Sequence, residues 1–263
     1  MFRALYTAAS GMAAQQTNLD NIANNLANAN TTGFQQRQVN FTDLLYQNQV
    51  MPGAAATQQT TVSTGLQIGL GTRPGATEII QTQGELAATG NQLDMAISGA
   101  GFFQILLPNG QIGYTRDGSF STNEQGQIVT ADGNPLQPTI TIPPNALSVT
   151  IGSDGTVSVT QPGQTAASQI GKIETAMFVN PGGLNSMGNN IYLATQASGE
   201  PVVGTPGSSD GLGTIQQGML EQSNVSVINQ FVAMILAQRS YESNSRVVKA
   251  ADEMLQQLNQ LSQ

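Results

Sequence analysis

The sequence predicts an α+β fold: long N- and C-terminal helices forming a coiled-coil layer, with an inserted all-β domain, a sandwich or irregular barrel. Three observations predict it. Some 38 residues near the C-terminus, Asn224 to Leu261, contain no Gly and no Pro and carry a seven-residue apolar repeat. A shorter repeat of the same period occupies the N-terminus. Between the two the composition changes, with all 11 prolines lying from Pro52 to Pro206 and 27 of the 29 glycines in residues 41–223.

The N-terminal repeat places Leu5, Met12, Leu19 and Leu26 in one row and Ala8, Gln15 and Ile22 in a second. It predicts a helix from Arg3 to about Asn28, stopped by Asn30-Thr31-Thr32, with Gly33 as a left-handed cap. Asn18, Asn21, Asn25 and Asn28 line one face of it. Asn is a poor helix former, so four of them suggest amides pairing across a shared interface rather than a plain wet face.

Phe41, Leu44 and Leu45 then either extend the helix by two turns or pack as a short irregular element. Gln47 to Thr64 is rich in Gln, Thr and Ala and reads as a solvated, extended arm. From Gly65 short apolar runs alternate with turn pairs. Strands are expected at Ile97–Leu107, Gly113–Arg116, Gln127–Thr130, Leu136–Ile142, Ile170–Val179 and Asn190–Thr195. Ser148–Ile151 and Thr156–Val159 flank Gly152-Ser153-Asp154-Gly155 as a hairpin, and Asn109-Gly110 marks another. Residues 196–213 read as a Gly/Pro/Ser loop. The resulting division is an N-terminal assembly helix (1–33), an extended bridging segment (34–74), a β domain (75–215) and a C-terminal assembly helix (216–263).

In the C-terminal helix Val227, Met234, Tyr241, Val248 and Leu255 recur every seventh residue, and Ala237, Asn244, Ala251 and Leu258 form the second row. Glu242–Arg246 and Lys249–Glu253 are opposite-charge pairs at i,i+4 spacing, which support the helix. Together the periodic positions nominate an assembly interface: Leu5, Met12, Leu19, Ile22, Asn25 and Leu26 from the first helix, and Val227, Phe231, Met234, Tyr241, Val248, Leu255 and Leu258 from the last.

Charge and composition exclude several classes. The net charge is −8 with only 8 Lys and Arg, the wrong sign for nucleic acid and no attraction to anionic lipid. The charge sits in the middle: residues 41–223 carry a net of −9, residues 1–40 +1 and residues 224–263 zero. Near-neutral ends can gather in many copies without self-repulsion. There is no Cys, His or Trp, which removes disulfides, thiolate metal sites and most nucleophile–base pairs. Glu78, Glu85, Asp94, Asp117 and Glu124 are scattered among turns, with no spacing that pairs two of them for catalysis. No catalytic, cofactor-binding or metal site is expected. No run approaches the ~20 apolar residues of a membrane helix, and the heptad row passes straight through the N-terminus where a signal peptide would be cleaved.

The segment Asn24-Asn-Leu-Ala-Asn-Ala-Asn-Thr-Thr-Gly-Phe34, preceded by SGMAAQQTNLDNIA, resembles the N-terminal signature of the bacterial flagellar rod and hook axial proteins. FTDLLYQ at 41–47, GLQIGLGTRP at 65–74, GFFQILLPNGQIGYTRDGSF at 101–120, ITIPPNALSVTIGSDGTVSV at 140–159 and the stretch 217–258 resemble the distal-rod branch of that family, so the likeness covers nearly the whole chain. The resemblance implies a non-enzymatic structural subunit. Its terminal helices would form the inner coiled-coil layer of a helical tube, with the β domain outside and the bridging segment reaching neighbours. It implies export through the flagellar type III apparatus without a cleaved signal, and a place in the rod that crosses the periplasm toward the outer membrane. The implied partners are other copies, proximal rod subunits, hook subunits, the surrounding ring bushing and the export apparatus. A proximal rod or hook-type subunit is the nearest alternative; a cell-wall-degrading enzyme and a secreted adhesin are remote ones.

Overall fold

A computed structural model describes residues 2–51, 63–163, 166–208 and 211–261. The chain divides into two compact units: one of residues 1–27, 37–78 and 226–263, the other of residues 28–36 and 79–225.

In the first unit α1 (Phe2–Ala27) and α2 (Val227–Leu261) lie side by side. Apart from Gly11, α1 has no helix breaker, and its Thr7 and Thr17 hydroxyls bond back to the carbonyls of Arg3 (3.0 Å) and Ala13 (3.2 Å). Ser226 caps α2, its carbonyl accepting the Gln230 N–H at 3.0 Å. The buried face of the pair is built largely from small residues, Ala8, Ala14, Ala237 and Ala251, with Ile22. Small side chains let two helix axes approach closely. At Gly11 the approach is such that a Cβ would stand 2.8 Å from Asn244 Nδ2.

A folded-back ribbon completes this unit. β1 (Arg37–Asp43) pairs with β4 (Thr72–Ile79), and β2 (Tyr46–Val50) with β3 (Leu66–Gly69). The helical extension through Phe41, Leu44 and Leu45 does not form; Phe41 lies in β1. From Gln38 to Thr42 polar residues alternate with Val39 and Phe41, a period of two that favours a strand. The expected solvated arm Gln47–Thr64 is partly this ribbon, and its residues 52–62 lie outside the described residues.

The second unit holds the remaining strands: β5 (Leu86–Ala88), β6 (Met95–Ser98), β7 (Phe102–Leu106), β8 (Ile112–Thr115), β9 (Phe120–Thr122), β10 (Ile128–Thr130), β11 (Leu136–Gln137), β12 (Ser148–Ile151), β13 (Thr156–Thr160), β14 (Ser168–Lys172), β15 (Thr175–Met177), β16 (Asn185–Gly188), β17 (Ile191–Leu193), β18 (Val202–Gly204), β19 (Thr214–Gln217) and β20 (Met219–Glu221). The largest sheet runs β16-β17-β8-β7-β15-β18, with β11 also on β7. A three-stranded sheet runs β12-β13-β14, and β6–β19, β5–β20 and β9–β10 form antiparallel pairs. The fold is therefore α+β, with an all-β insertion between two terminal helices.

Strand β7 is central and buried on both faces. Phe103 points into a cluster with Met95, Ile105, Ile128, Leu136 and Val157, and meets Phe120 edge to face at 5.3 Å. Its neighbour Phe102 points the other way, edge-on to Phe178 and Tyr192, each at 5.9 Å. Adjacent residues of a strand face opposite sides, so this Phe-Phe pair seeds two cores at once.

Several expected strands are broken up. Ile97–Leu107 divides into β6 and β7 because Gly99 takes φ +111°, outside the extended region. Leu136–Ile142 shortens to β11, where Pro138 has no N–H for a ladder. Ile170–Val179 becomes β14 and β15, and the expected loop 196–213 contains β18. The hairpins at Asn109-Gly110 and at 148–159 form as expected, with Val149 opposite Val159 in the second.

Phe103→Ala should cost about 3–5 kcal/mol by opening a cavity between two strands of this core. Urea unfolding followed by near-ultraviolet circular dichroism would read that loss; a variant as stable as the parent would show that the core is not centred on β7.

Candidate assembly interface

Two features bear on how such a chain could enter an assembly: the apolar surface of its helices and the polar clamp that holds the ends of its β unit.

In the helical unit the nominated residues separate by depth. Ile22 and Asn25 are buried; Leu5, Met12, Leu19, Leu26, Met234, Val248 and Leu255 are half-buried; Val227, Phe231 and Tyr241 are exposed. The side chain of Leu258 lies outside the described residues. The seam is thus partly covered by the opposite helix and partly open. Asn25 has an intrachain role. Its Nδ2 donates to the Arg37 carbonyl at 2.8 Å, as does that of Asn21, and its Oδ1 accepts the Arg37 N–H at 3.0 Å. These amides hold the start of β1 on α1.

The sequence reading missed the outer face of α2. Ile228 is 76% exposed and Leu236 63%, and Val232 and Ile235 are about half exposed. Positions 228, 232, 235 and 236 follow the i, i+4, i+7, i+8 pattern of a single stripe, with Phe231 and Val227 beside it. The signal was present in the sequence: between Val227 and Ala237 only Asn229 and Gln230 are polar, so apolar residues run around most of the helix rather than along two rows. A helix apolar on several sides is one that is covered on several sides. α1 has a different character, with Tyr6, 61% exposed, the one large apolar side chain in the open among its described residues.

In the β unit the chain enters through residues 28–36 and leaves through 221–225, and these two connectors are bonded to each other. The Gly33 N–H donates to the Glu221 carbonyl at 2.8 Å, and the Gln36 N–H to Asn224 Oδ1 at 2.7 Å. Asn224 Nδ2 reaches the Ile80 carbonyl at 2.8 Å and Gln35 Oε1 at 3.0 Å. At the centre is Glu221, with 0% of its surface exposed. Its Oε2 takes a 2.8 Å ion pair from Arg116 Nη1, while Oε1 accepts from Gln35 Nε2 and the Gly84 N–H, both at 3.1 Å. Arg116 Nη2 donates to the Gly99 carbonyl at 2.8 Å, and the guanidinium lies 5.6 Å from the Phe102 ring centroid. The Asn190 amide adds a tether to the Thr32 carbonyl at 2.7 Å.

Gly33 is therefore not the cap of α1, which ends six residues earlier at Ala27. Its φ of +67° and its lack of a side chain serve the crossing over the turn after β8, where a Cβ would stand 2.6 Å from the Asp117 backbone nitrogen. Asp117 is itself half-buried there, which pushes its carboxyl above the ordinary value against the lowering by Ser119 hydrogen bonds.

The scattered carboxylates make turns and pairs of this kind rather than a cleft. Asp94 accepts from Thr89 and Asn91, and Glu78 from Asn40. No group of three or more potential metal-ligating side chains occurs among the described residues, and no described helix is long and apolar enough to cross a membrane.

Three family models match parts of the chain: one described as flagella basal body rod protein at residues 5–35, one as flagellar hook protein FlgE/F/G D1 domain at 96–159, and one as flagellar basal body rod FlgEFG protein C-terminal at 216–261. Among curated proteins, the chain is 48% identical to the flagellar basal-body rod protein FlgG of Buchnera aphidicola subsp. Schizaphis graminum, over 99% of this chain and 100% of the relative. It is 47% identical to the protein of that name from Caulobacter vibrioides (98% of this chain, 99% of the relative). The corresponding figures for Bacillus subtilis are 39% identity over 98% of each chain.

Glu221→Ala should destabilise the β unit by about 3–5 kcal/mol, because it leaves the Arg116 charge buried without its partner. Gly33→Ala should lower the same transition through its backbone clash. Thermal unfolding of both variants provides the check; a Glu221→Ala midpoint equal to that of the parent would remove the clamp from the interactions holding this unit.

Proposed function

The chain belongs to the FlgG family of flagellar basal-body rod proteins and is a structural subunit of the distal rod, and we propose how its parts serve that role. The terminal helices are the polymerising elements. The stripe at Ile228, Val232, Ile235 and Leu236, with the half-covered seam at Leu5, Met12, Leu19, Leu26, Met234, Val248 and Leu255, takes up helices of neighbouring copies in a helical polymer. The observation that carries this reading is the exposed apolar face of α2, too continuous to be incidental on a lone chain. Each large side chain that becomes fully covered contributes roughly 1.5–3 kcal/mol, so a handful per copy drives assembly once repeated along the polymer.

The net acidic charge of the β unit keeps the growing polymer soluble. The drive shaft formed in this way transmits torque from motor to hook. Its partners at the two ends are proximal rod subunits and hook subunits, and around it the ring bushing. Delivery is by the flagellar export apparatus without a cleaved signal peptide, into a rod that crosses the periplasm. The functional divisions of this proposal are 1–33, 34–74, 75–215 and 216–263, of which the first and last contain the assembly helices Phe2–Ala27 and Val227–Leu261 together with the connectors that enter and leave the β unit.

Leu236→Asp, Leu19→Asp or Val248→Asp should leave the β unit folded while abolishing polymerisation and, in cells, motility. Complementation of a rod-null strain combined with circular dichroism of the purified variants distinguishes this from global unfolding. Normal rods from all three would sink the interface assignment. In the dilute wild-type chain, hydrogen exchange should be faster in residues 2–27 and 227–261 than in the β unit; equal protection throughout would mean that the helices need no other copy.

A further inference from the structure

Among the described residues β12 is the edge strand of its three-stranded sheet, ladder-paired with β13, while β19 runs beside one end of its other side, where the Ile215 N–H donates to the Ser153 carbonyl at 3.1 Å. Pairing runs Thr150 to Ser158 and Gly152 to Thr156, and the Gly152 N–H bonds the Thr156 carbonyl at 2.8 Å. Ladder bonds alternate, so the N–H and C=O groups of Val149 and Ile151 point away from β13, toward the free edge. Edges of this kind are templates for strand addition.

The segment behind this edge is prone to such pairing. Ala146-Leu-Ser-Val-Thr-Ile151 has no charge, no Gly and no Pro, and three of its six residues are β-branched. Leu147 is 69% exposed, and the edge borders an open groove of about 700 Å3 lined by Gln92, Leu93, Ser148 and Val149.

Two glutamine side chains occupy the edge. Gln217 Oε1 accepts the Ile151 N–H at 3.0 Å while its Nε2 donates to the Val149 carbonyl at 2.8 Å. A residue of a parallel strand opposite Thr150 would make the same two bonds, donating to the residue before and accepting from the residue after. The Gln217 amide thus stands in for the N–H and C=O of one residue of a neighbouring strand. Gln92 Oε1 takes the Val149 N–H at 3.2 Å, and the Gln92 carbonyl receives Gln217 Nε2 at 2.7 Å, which ties the two glutamines together.

We infer that Gln217, with Gln92, is a side-chain plug that closes the β12 edge against the same segment of a second copy. It acts as a specificity-determining device: self-association is directed to the helices by blocking the strand route. The crowding of copies that makes this device useful rests on the rod reading; the edge chemistry does not.

The test uses the full chain carrying Leu236→Asp, with and without Gln217→Asn, whose amide is one methylene too short to span both bonds. In the parent, the amides of Val149 and Ile151 should exchange as slowly as that of the ladder-bonded Thr150; free exchange there overturns the plug. In Gln217→Asn the Ile151 amide should exchange roughly tenfold faster at low concentration. At high concentration oligomers should form that bind an amyloid dye and regain protection at 147–151. A variant with a fast Ile151 amide that stays monomeric at every concentration also overturns it. If Gln217→Asn unfolds the unit, Gln92→Ala, which frees only the Val149 N–H, carries the same comparison at that amide. Association through the helices despite Leu236→Asp would leave these amides unchanged and count against the helix assignment alone.

Discussion

The ion pair between Arg116 and Glu221 is the constraint on which the β unit depends. Neither charge can be withdrawn singly, because the other would remain buried without a counter-charge. Such a pair adds little net stability over an apolar substitute; what it adds is register. One carboxylate reads the positions of Gln35, Gly84 and Arg116, three points far apart in sequence, and only one alignment of the chain satisfies all of them. Asn224 repeats the device one turn of chain later, reaching Gln35, Gln36 and Ile80. Two polar side chains thereby fix the register of residues 28–36, a short and largely polar stretch whose one large apolar side chain, Phe34, is buried.

The helical unit follows a different logic. The contact between its two helices is made mostly with alanines and a glycine, together with Ile22, while most of their large apolar side chains are half-covered or face out. Small residues inside and large ones outside invert the order of an ordinary two-helix core. The inversion makes sense when the pair is one element of a larger bundle: close approach within a copy leaves the bulky residues for packing between copies. The same sequence economy marks the strands. β7 serves two cores with adjacent phenylalanines, and Gln217 serves both the β6–β19 ladder and the edge of β12.

Much of this was legible in the sequence, and the reasons differ by element. Both helices were readable because seven-residue periodicity extends over many turns, and the hairpins because Asn-Gly and Asp-Gly are strong local signals. The breaks in the strands were not, since Gly99 and Pro138 interrupt apolar runs that look continuous by composition. Phe41 was ambiguous because a short run fits either period until its pairing partner in β4 is known. The seven-residue rows were readable, yet the open stripe at Ile228, Val232, Ile235 and Leu236 was overlooked because a heptad template looks for two rows and stops. The clamp was invisible for a deeper reason. Glu221 and Arg116 are ordinary charged residues 105 positions apart, and nothing in their neighbourhoods announces that they meet. Gly33 was noticed and given the wrong task, since a glycine after a helix reads as a cap.

Because residues 33–36 are fastened to residues 221–224, the points where the chain enters and leaves the β unit are neighbours. The intervening chain is, in topological terms, a side loop closed at its neck. Insertions or deletions in the outer turns, such as those at Asn109-Gly110 or Asp154-Gly155, change the size of that loop without moving the neck. A scaffold closed in this way lets the surface diversify independently of the helices.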